Sequence, residues 1–152
     1  MDEKLTWCGL VQLPPMKYWL LKTEPDCYSW GDLERDKKTC WDGVGNNLAL
    51  KYIREMRKGD LALIYHTGDE RQAVGIAEVT SDPYVDPKLN DPKMAVIDVK
   101  PRRKLATPVT LATVKANNKL ADFLLVRMSR LGVMPVTDEQ WEIMLGKEAA
   151  KA

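Results

Sequence analysis

Hydrophobic positions along this chain fall into short runs separated by polar turns rather than into long periodic stretches. Lys17–Lys22 (KYWLLK) is an apolar, aromatic-rich run halted by Thr23-Glu24-Pro25-Asp26, the pattern of a buried strand and a turn. Leu61–His66 and Ala73–Thr80 read as two further strands, joined by the polar turn Thr67–Gln72 and paired as a hairpin. Met94–Lys100 and Leu131–Val136 supply two more. Between them the spacing changes. Ala49, Ile53 and Met56 recur at helical spacing, flanked by Leu48 and Tyr52. A second short helix is expected within Lys119–Arg127.

Capping signals mark the helix starts. Ser29 with Asp32, and Thr137 with Gln140, have capping-box spacing. Asn46 or Asn47 suits the N-cap of the helix carrying Ala49, and Thr110 suits another. The last helix is expected to stop at Gly146. Cys40–Gly45, with two glycines, reads as a loop. The segment with Asp-Pro steps at Asp82, Asp86 and Asp91 stays out of the sheet core, because proline cannot donate to a ladder. Strands and short helices mix without a βαβ repeat, so the class is α+β, built on a curved, mostly antiparallel sheet.

Composition narrows the chemistry. The 152 residues are 45% hydrophobic and 30% charged, the balance of one globular domain. No apolar run approaches the roughly 20 residues of a membrane span. Asp2, Glu3 and Lys4, with no long apolar segment after them, predict no secretory leader. A net charge of +1 excludes a protein that coats nucleic acid by charge alone. Cys8, Cys27 and Cys40 are widely spaced, which disfavours a disulfide framework or zinc site and points to a reducing compartment. Phosphate-loop, dinucleotide and nucleophile-elbow motifs are absent. An enzymatic alternative remains, using Glu24, or Cys27 or Cys40 with the single histidine, His66.

The aromatics favour binding instead. Five Trp and five Tyr accompany one Phe. Trp and Tyr combine a flat apolar face with a polar handle, although at least half are expected to be core anchors. Trp19 lies within an apolar strand, whereas Trp30 and Trp41 lie in or beside loops. A base stacked on an aromatic face gains roughly 1–3 kcal/mol. Lys22, Thr23, Glu24 and Asn46 are the residue types that hydrogen-bond a base edge. Cations for a nucleic-acid backbone are present at Arg54, Arg57 and Lys58, in Lys100–Lys104 (KPRRK), and at Arg127 and Arg130.

Several ordered motifs resemble one family. They are Met16–Pro25 (MKYWLLKTEP), Ser29–Leu33 (SWGDL), Trp41–Asn46 (WDGVGN), Gly59–His66 (GDLALIYH), Val74–Val79 (VGIAEV), Pro108–Leu111 (PVTL), Arg130–Val136 (RLGVMPV) and Trp141. Together they are similar to the EVE domain. The resemblance implies a PUA-like pseudo-barrel with short flanking helices, and kinship with YTH domains, which hold a methylated RNA base in an aromatic cage. It further implies a non-enzymatic module that holds a methylated or hydroxymethylated base, particularly a modified cytosine, without cofactor or metal.

Carried over by motif, Trp41 is a cage wall. Lys22, Thr23 and Glu24 lie at the pocket floor, and Asn46, Tyr65, His66 and Arg130 face or adjoin it. Trp30 is a further aromatic candidate, and Tyr84 a candidate lid. Gly45 and Leu50 stand where relatives often carry arginine, and Gly132 and Met134 where they carry serine and glutamine, so the ligand contacts are expected to differ. The expected organisation is an N-terminal extension over 1–15, the domain over 16–147 and a tail over 148–152. Expected partners are DNA or RNA carrying a modified base, with no membrane, in a monomer or weak dimer. The expected location is cytoplasmic in a bacterial host and nuclear in a eukaryotic one. A nucleotide-acting enzyme and a small-molecule or protein-interaction module are the alternatives.

Overall fold

A computed structural model of the chain describes residues 16–89 and 91–146. The expected extension over 1–15, Cys8 within it, and the tail lie outside the described residues. Seven strands form one curled, mixed sheet. In chain order they are β1 (Tyr18–Thr23), β2 (Thr39–Trp41), β3 (Leu61–His66), β4 (Gln72–Val79), β5 (Tyr84–Val85), β6 (Ala95–Thr110) and β7 (Val133–Val136). Their order across the sheet is β2-β6-β4-β3-β1-β7, with β5 also paired to β6. The helices are α1 (Trp30–Asp36), α2 (Asn47–Glu55), α3 (Leu111–Ala116), α4 (Leu124–Arg127) and α5 (Asp138–Leu145). Among the described residues no helix is long and apolar enough to cross a membrane.

β1 and β3 are parallel, while every other pairing is antiparallel. Parallel neighbours need a long crossover, here supplied by α1, β2 and α2. Their register sets Lys22 beside Tyr65 and Thr23 beside His66, so the C-terminal ends of both strands meet at one edge of the molecule.

The register is anchored at the opposite end by a buried carboxylate. Asp60, 5% exposed, accepts from the backbone N–H of Lys17 at 3.1 Å, from Trp19 Nε1 at 2.9 Å and from the backbone N–H of Arg57 at 2.9 Å. The indole of Trp19 is thereby a satisfied core group. Burial of a carboxylate is tolerable only with such hydrogen bonds in place.

The caps follow the sequence closely. Ser29 and Asp32 form a reciprocal capping box at α1, and Thr137 and Gln140 form one at α5. Asn46 caps α2 by accepting from the Ala49 N–H, and Thr110 caps α3 by accepting from Thr113. Ala49, Ile53 and Met56 are buried, as their spacing predicts.

Two expectations are corrected. Thr39–Trp41 is a strand, because it pairs with Val99, Asp98 and Ile97 of β6; only the glycine-containing segment after it is loop. Within Lys119–Arg127 the expected short helix is the single turn α4, which follows a 3-10 turn (Asn118–Leu120). The strand expected to end at Lys100 runs on to Thr110. Its prolines are tolerated because Pro101 and Pro108 sit where the β4–β6 register shifts. From Val99 to Leu105 buried or half-buried residues alternate with exposed Lys100, Arg102 and Lys104, so these three cations of the KPRRK stretch form the solvent face of a strand while Arg103 points to the other face.

Trp30 is 3% exposed and lies flat on β4. A Cβ built at Gly75 would stand 2.6 Å from its ring carbons. Two outcomes are expected from chemical denaturation. Asp60→Ala, which leaves Trp19 Nε1 and two backbone N–H groups without an acceptor, should cost about 3 kcal/mol; a loss below 1 kcal/mol would refute its anchoring role. Gly75→Ala should cost about 2 kcal/mol through overpacking against Trp30, and an unchanged midpoint would contradict the close approach.

Candidate functional site

At the edge where β1 ends, a concavity of about 290 Å³ opens between the β1 turn and β2. Lys22, Thr23 and Glu24 form one side, and Thr39, Cys40, Trp41 and Asp42 the other. Tyr28 joins them, with its ring edge-on to Trp41 at a centroid separation of 6.4 Å and an interplanar angle of 86°. Trp41 is 8% exposed, so most of its indole is gripped by the core while the remainder borders the concavity. A large rigid ring held in this way is preorganised to receive a flat ligand.

Local structure explains the placement. After Thr23 the chain turns tightly, with the Cys27 and Tyr28 N–H groups donating to the Glu24 carbonyl. The Thr23 hydroxyl donates to the Tyr28 carbonyl at 2.6 Å, which folds Tyr28 back over the strand end. The Tyr28 hydroxyl donates to Asp36 at 2.9 Å, and burial, foremost, holds the phenol above its usual range. The Glu24 carboxylate leans over the following turn. It accepts from the Thr67 hydroxyl at 3.4 Å and lies so near Gly68 that a Cβ there would stand 2.9 Å from Glu24 Oε1. Gly68 has φ of 72°, a second reason for glycine at this position.

Lys22 Nζ donates to the Ser129 carbonyl at 2.8 Å and sits 5.7 Å from the centre of the Tyr65 ring. Partial burial lowers its pKa from the ordinary lysine value. Asp42 is engaged by Lys88 at 3.2 Å. Chemically, the concavity offers two ring surfaces, two carboxylates that accept from amino groups, and one ammonium that donates to carbonyl oxygens.

The other residues singled out in the sequence are placed differently. Trp30 belongs to the core over Gly75 and does not line the concavity. Asn46 is exposed, with its side-chain oxygen committed to capping α2. Arg130 is exposed in the turn before β7 and does not line it either. Tyr65 borders a neighbouring cavity. His66 is a structural joint. The Trp30 N–H donates to its Nε2 at 3.0 Å, which puts the ring proton on Nδ1, facing Glu70 Oε1 at 2.8 Å. With both nitrogens engaged, His66 has no nitrogen to spare as a base for Cys27 or Cys40. Burial, foremost, pushes the Cys40 thiol up, so it stays protonated near neutral pH and is a poor nucleophile.

Tyr84, a candidate lid in the sequence, instead pairs in β5. Its hydroxyl donates to Asp98 at 2.6 Å, a hydrogen bond that holds its pKa far above the usual phenol value. Among the described residues no group of three or more His, Cys, Asp or Glu side chains could hold a metal ion. Sequence reading missed Tyr28, Thr39 and Asp42, and weighed Cys40 only as a nucleophile. The only signal for Tyr28 was an aromatic just after a Pro-Asp turn, and for the others their adjacency to Trp41.

Comparison with known proteins accords with this arrangement. The EVE domain family profile matches residues 17–147. Rat thymocyte nuclear protein 1 is 29% identical over an alignment of 168 positions, covering 88% of this chain and 74% of that protein. A Rhodopseudomonas palustris protein solved by NMR superposes with a TM-score of 0.83 at 40% identity, covering 90% of this chain and 94% of that one. A human thymocyte nuclear protein 1 crystal structure, in complex with DNA containing 5-methylcytosine, superposes with a TM-score of 0.80 at 27% identity, covering 87% of this chain and 97% of that one. The curled sheet with its short helices is thus a PUA-like pseudo-barrel, and the chain belongs to the EVE domain family.

Proposed function

We propose that this protein is a non-enzymatic reader of nucleic acid that holds one modified cytosine, methylated or hydroxymethylated, in the concavity beside Trp41. The observation that carries the reading is the pairing of Trp41 and Tyr28, set edge to face at 6.4 Å around an opening at the end of β1. An extruded base stacks on the Trp41 face. Its amino edge meets Glu24 or Asp42, and its carbonyl oxygen meets Lys22. At about 290 Å³ the space lies at the small end of ligand clefts, suited to a single base rather than a large ligand. The DNA seen with the human relative supports a DNA ligand. His66, locked between Trp30 and Glu70, and the protonated Cys40 favour binding over nucleophilic chemistry.

Oligonucleotides carrying cytosine, 5-methylcytosine or 5-hydroxymethylcytosine at one position, titrated against Trp fluorescence, test the reading. Wild type should prefer a modified oligonucleotide. Trp41→Ala should weaken that binding about tenfold, as expected for one lost base–aromatic stack, and should abolish the preference. Equal binding of every oligonucleotide by both proteins would refute the cage. A nucleoside and nucleotide panel should emerge from incubation chemically unchanged; turnover that is lost in Glu24→Gln would establish the enzymatic alternative instead.

A further inference from the structure

Lys22 stands in the wall between two concavities. The second, of about 340 Å³, is bordered by Lys22, Tyr65, Thr67, Arg71, Leu111 and Lys115. The two differ sharply in charge. The Trp41 concavity contains the carboxylates of Glu24 and Asp42, whereas the second contains three cations and no carboxylate in its lining. They are linked at a second point, because Thr67 of the second donates to Glu24 of the first. Their contents are the complementary halves of a nucleotide: acceptors and rings for a base, and cations for a phosphate.

Three features make the second cavity a built site rather than a chance meeting of surface lysines. The Leu111 N–H donates to the Arg71 carbonyl at 2.9 Å, which ties the start of α3 to Arg71 and sets Lys115, one turn on, over the same cavity. Arg71 and Lys115 make no ion pair among the described residues. Several other cations near the sheet are committed internally. The Arg57 guanidinium donates to the carbonyls of Arg54 and Met56, Lys100 and Arg102 face Glu78, and Arg127 faces Asp122. Finally, Tyr65 borders the cavity, and its hydroxyl has no hydrogen-bond partner among the described residues; the residue is 3% exposed, but the hydroxyl itself keeps solvent contact and is free to donate into the cavity. Burial raises its pKa, against the smaller pull of Arg71, so it remains a donor.

We propose that the cavity formed by Lys22, Tyr65, Arg71 and Lys115 is an anion subsite that takes the phosphodiester group adjoining the base held at Trp41. This rests on the reader function proposed above. The nearby acids lie outside the cavity's lining. Glu70 is engaged by His66, and with Asp69 it borders an adjoining depression that shares Arg71, Leu111 and Lys115 with the cavity. The Glu24 carboxylate lies on the boundary between the two concavities, against Gly68, and accepts from Thr67. The Tyr65 hydroxyl and the Lys22 ammonium approach the phosphate from within, while Arg71 and Lys115 close over it from the rim.

The test uses the full chain with the double substitution Arg71→Gln and Lys115→Gln. Both residues are exposed, so a melting temperature equal to wild type is expected and is measured first. Binding of a single-stranded oligonucleotide with one 5-methylcytosine, and of its unmodified twin, is then followed across a salt series. The double variant should bind roughly tenfold more weakly at low salt, and its slope of log K against log salt should be shallower by about 1 to 2. The ratio of affinities for the two oligonucleotides should be retained. Tyr65→Phe should weaken both oligonucleotides severalfold with an unchanged slope, since it removes a hydrogen bond and no charge. An unchanged slope in the double variant, with preference retained, overturns the subsite and leaves the reader function standing. A reduced slope in a protein that shows no preference for the modified base overturns the reader function, and with it the assignment of that phosphate.

Discussion

The Asp60 carboxylate is the constraint on which the functional edge depends. It gathers the N–H groups of Lys17, Trp19 and Arg57, and so binds the entry to β1 and the end of the α2 segment to the start of β3. A parallel pair has no tight hairpin to define its register; here the buried hydrogen bonds at one end take that part. Once Tyr18 lies opposite Leu61, the regular rise of both strands carries Lys22 to Tyr65 and Thr23 to His66. A slip of one residue would reverse the face on which each of these side chains emerges. The geometry at the β1 side of the concavity is therefore decided at the far end of the strand from it.

The aromatic residues divide between two tasks that compete for the same chemistry. Trp19, Trp30 and Trp141 are buried; Trp19 hydrogen-bonds Asp60, Trp30 lies on Gly75, and Trp141 stacks on Tyr18 at 4.1 Å. Trp41 belongs to both groups, since it is mostly enclosed yet borders an opening. That dual position suits a binding wall, because a ring already immobilised by its neighbours loses little further freedom when a ligand arrives. His66 serves the same rigidity. By joining the first N–H of α1 to Glu70, it holds α1 against the β3–β4 turn and so steadies the Tyr28 side of the opening.

Much of the fold was legible in the order of residues because the signals are local. KYWLLK, LALIYH and AVGIAEVT have the density of apolar residues that only a sheet interior accommodates, and all three are strands. Ser29 with Asp32 and Thr137 with Gln140 made both capping boxes, because that bond spans three residues and needs no distant partner. Failures occurred where a distant partner outweighed local preference. Thr39–Trp41 sits before a glycine loop and has too few residues for a periodic signal, yet β6 supplies the hydrogen bonds that make it a strand. The prolines of KPRRKLATPVT argue against a strand until the register shifts opposite them are seen. Leu50 and Met134, which the family resemblance set among altered ligand contacts, are instead buried in the core.

By itself the sequence determined the α+β class, most of the strands, the cap positions and the family, and through the family resemblance it named Trp41, Lys22, Thr23 and Glu24 as neighbours of one opening. The strands and caps follow from residue type and short spacing, which survive any arrangement of the rest. Only the tertiary structure decided which aromatic would stand with Trp41, that His66 and Asn46 would be consumed by internal hydrogen bonds, and that Arg71 and Lys115 would meet Tyr65 around a single cavity. Those outcomes rest on contacts between residues far apart in the chain, where hydrogen-bond satisfaction and packing choose partners that no local pattern encodes.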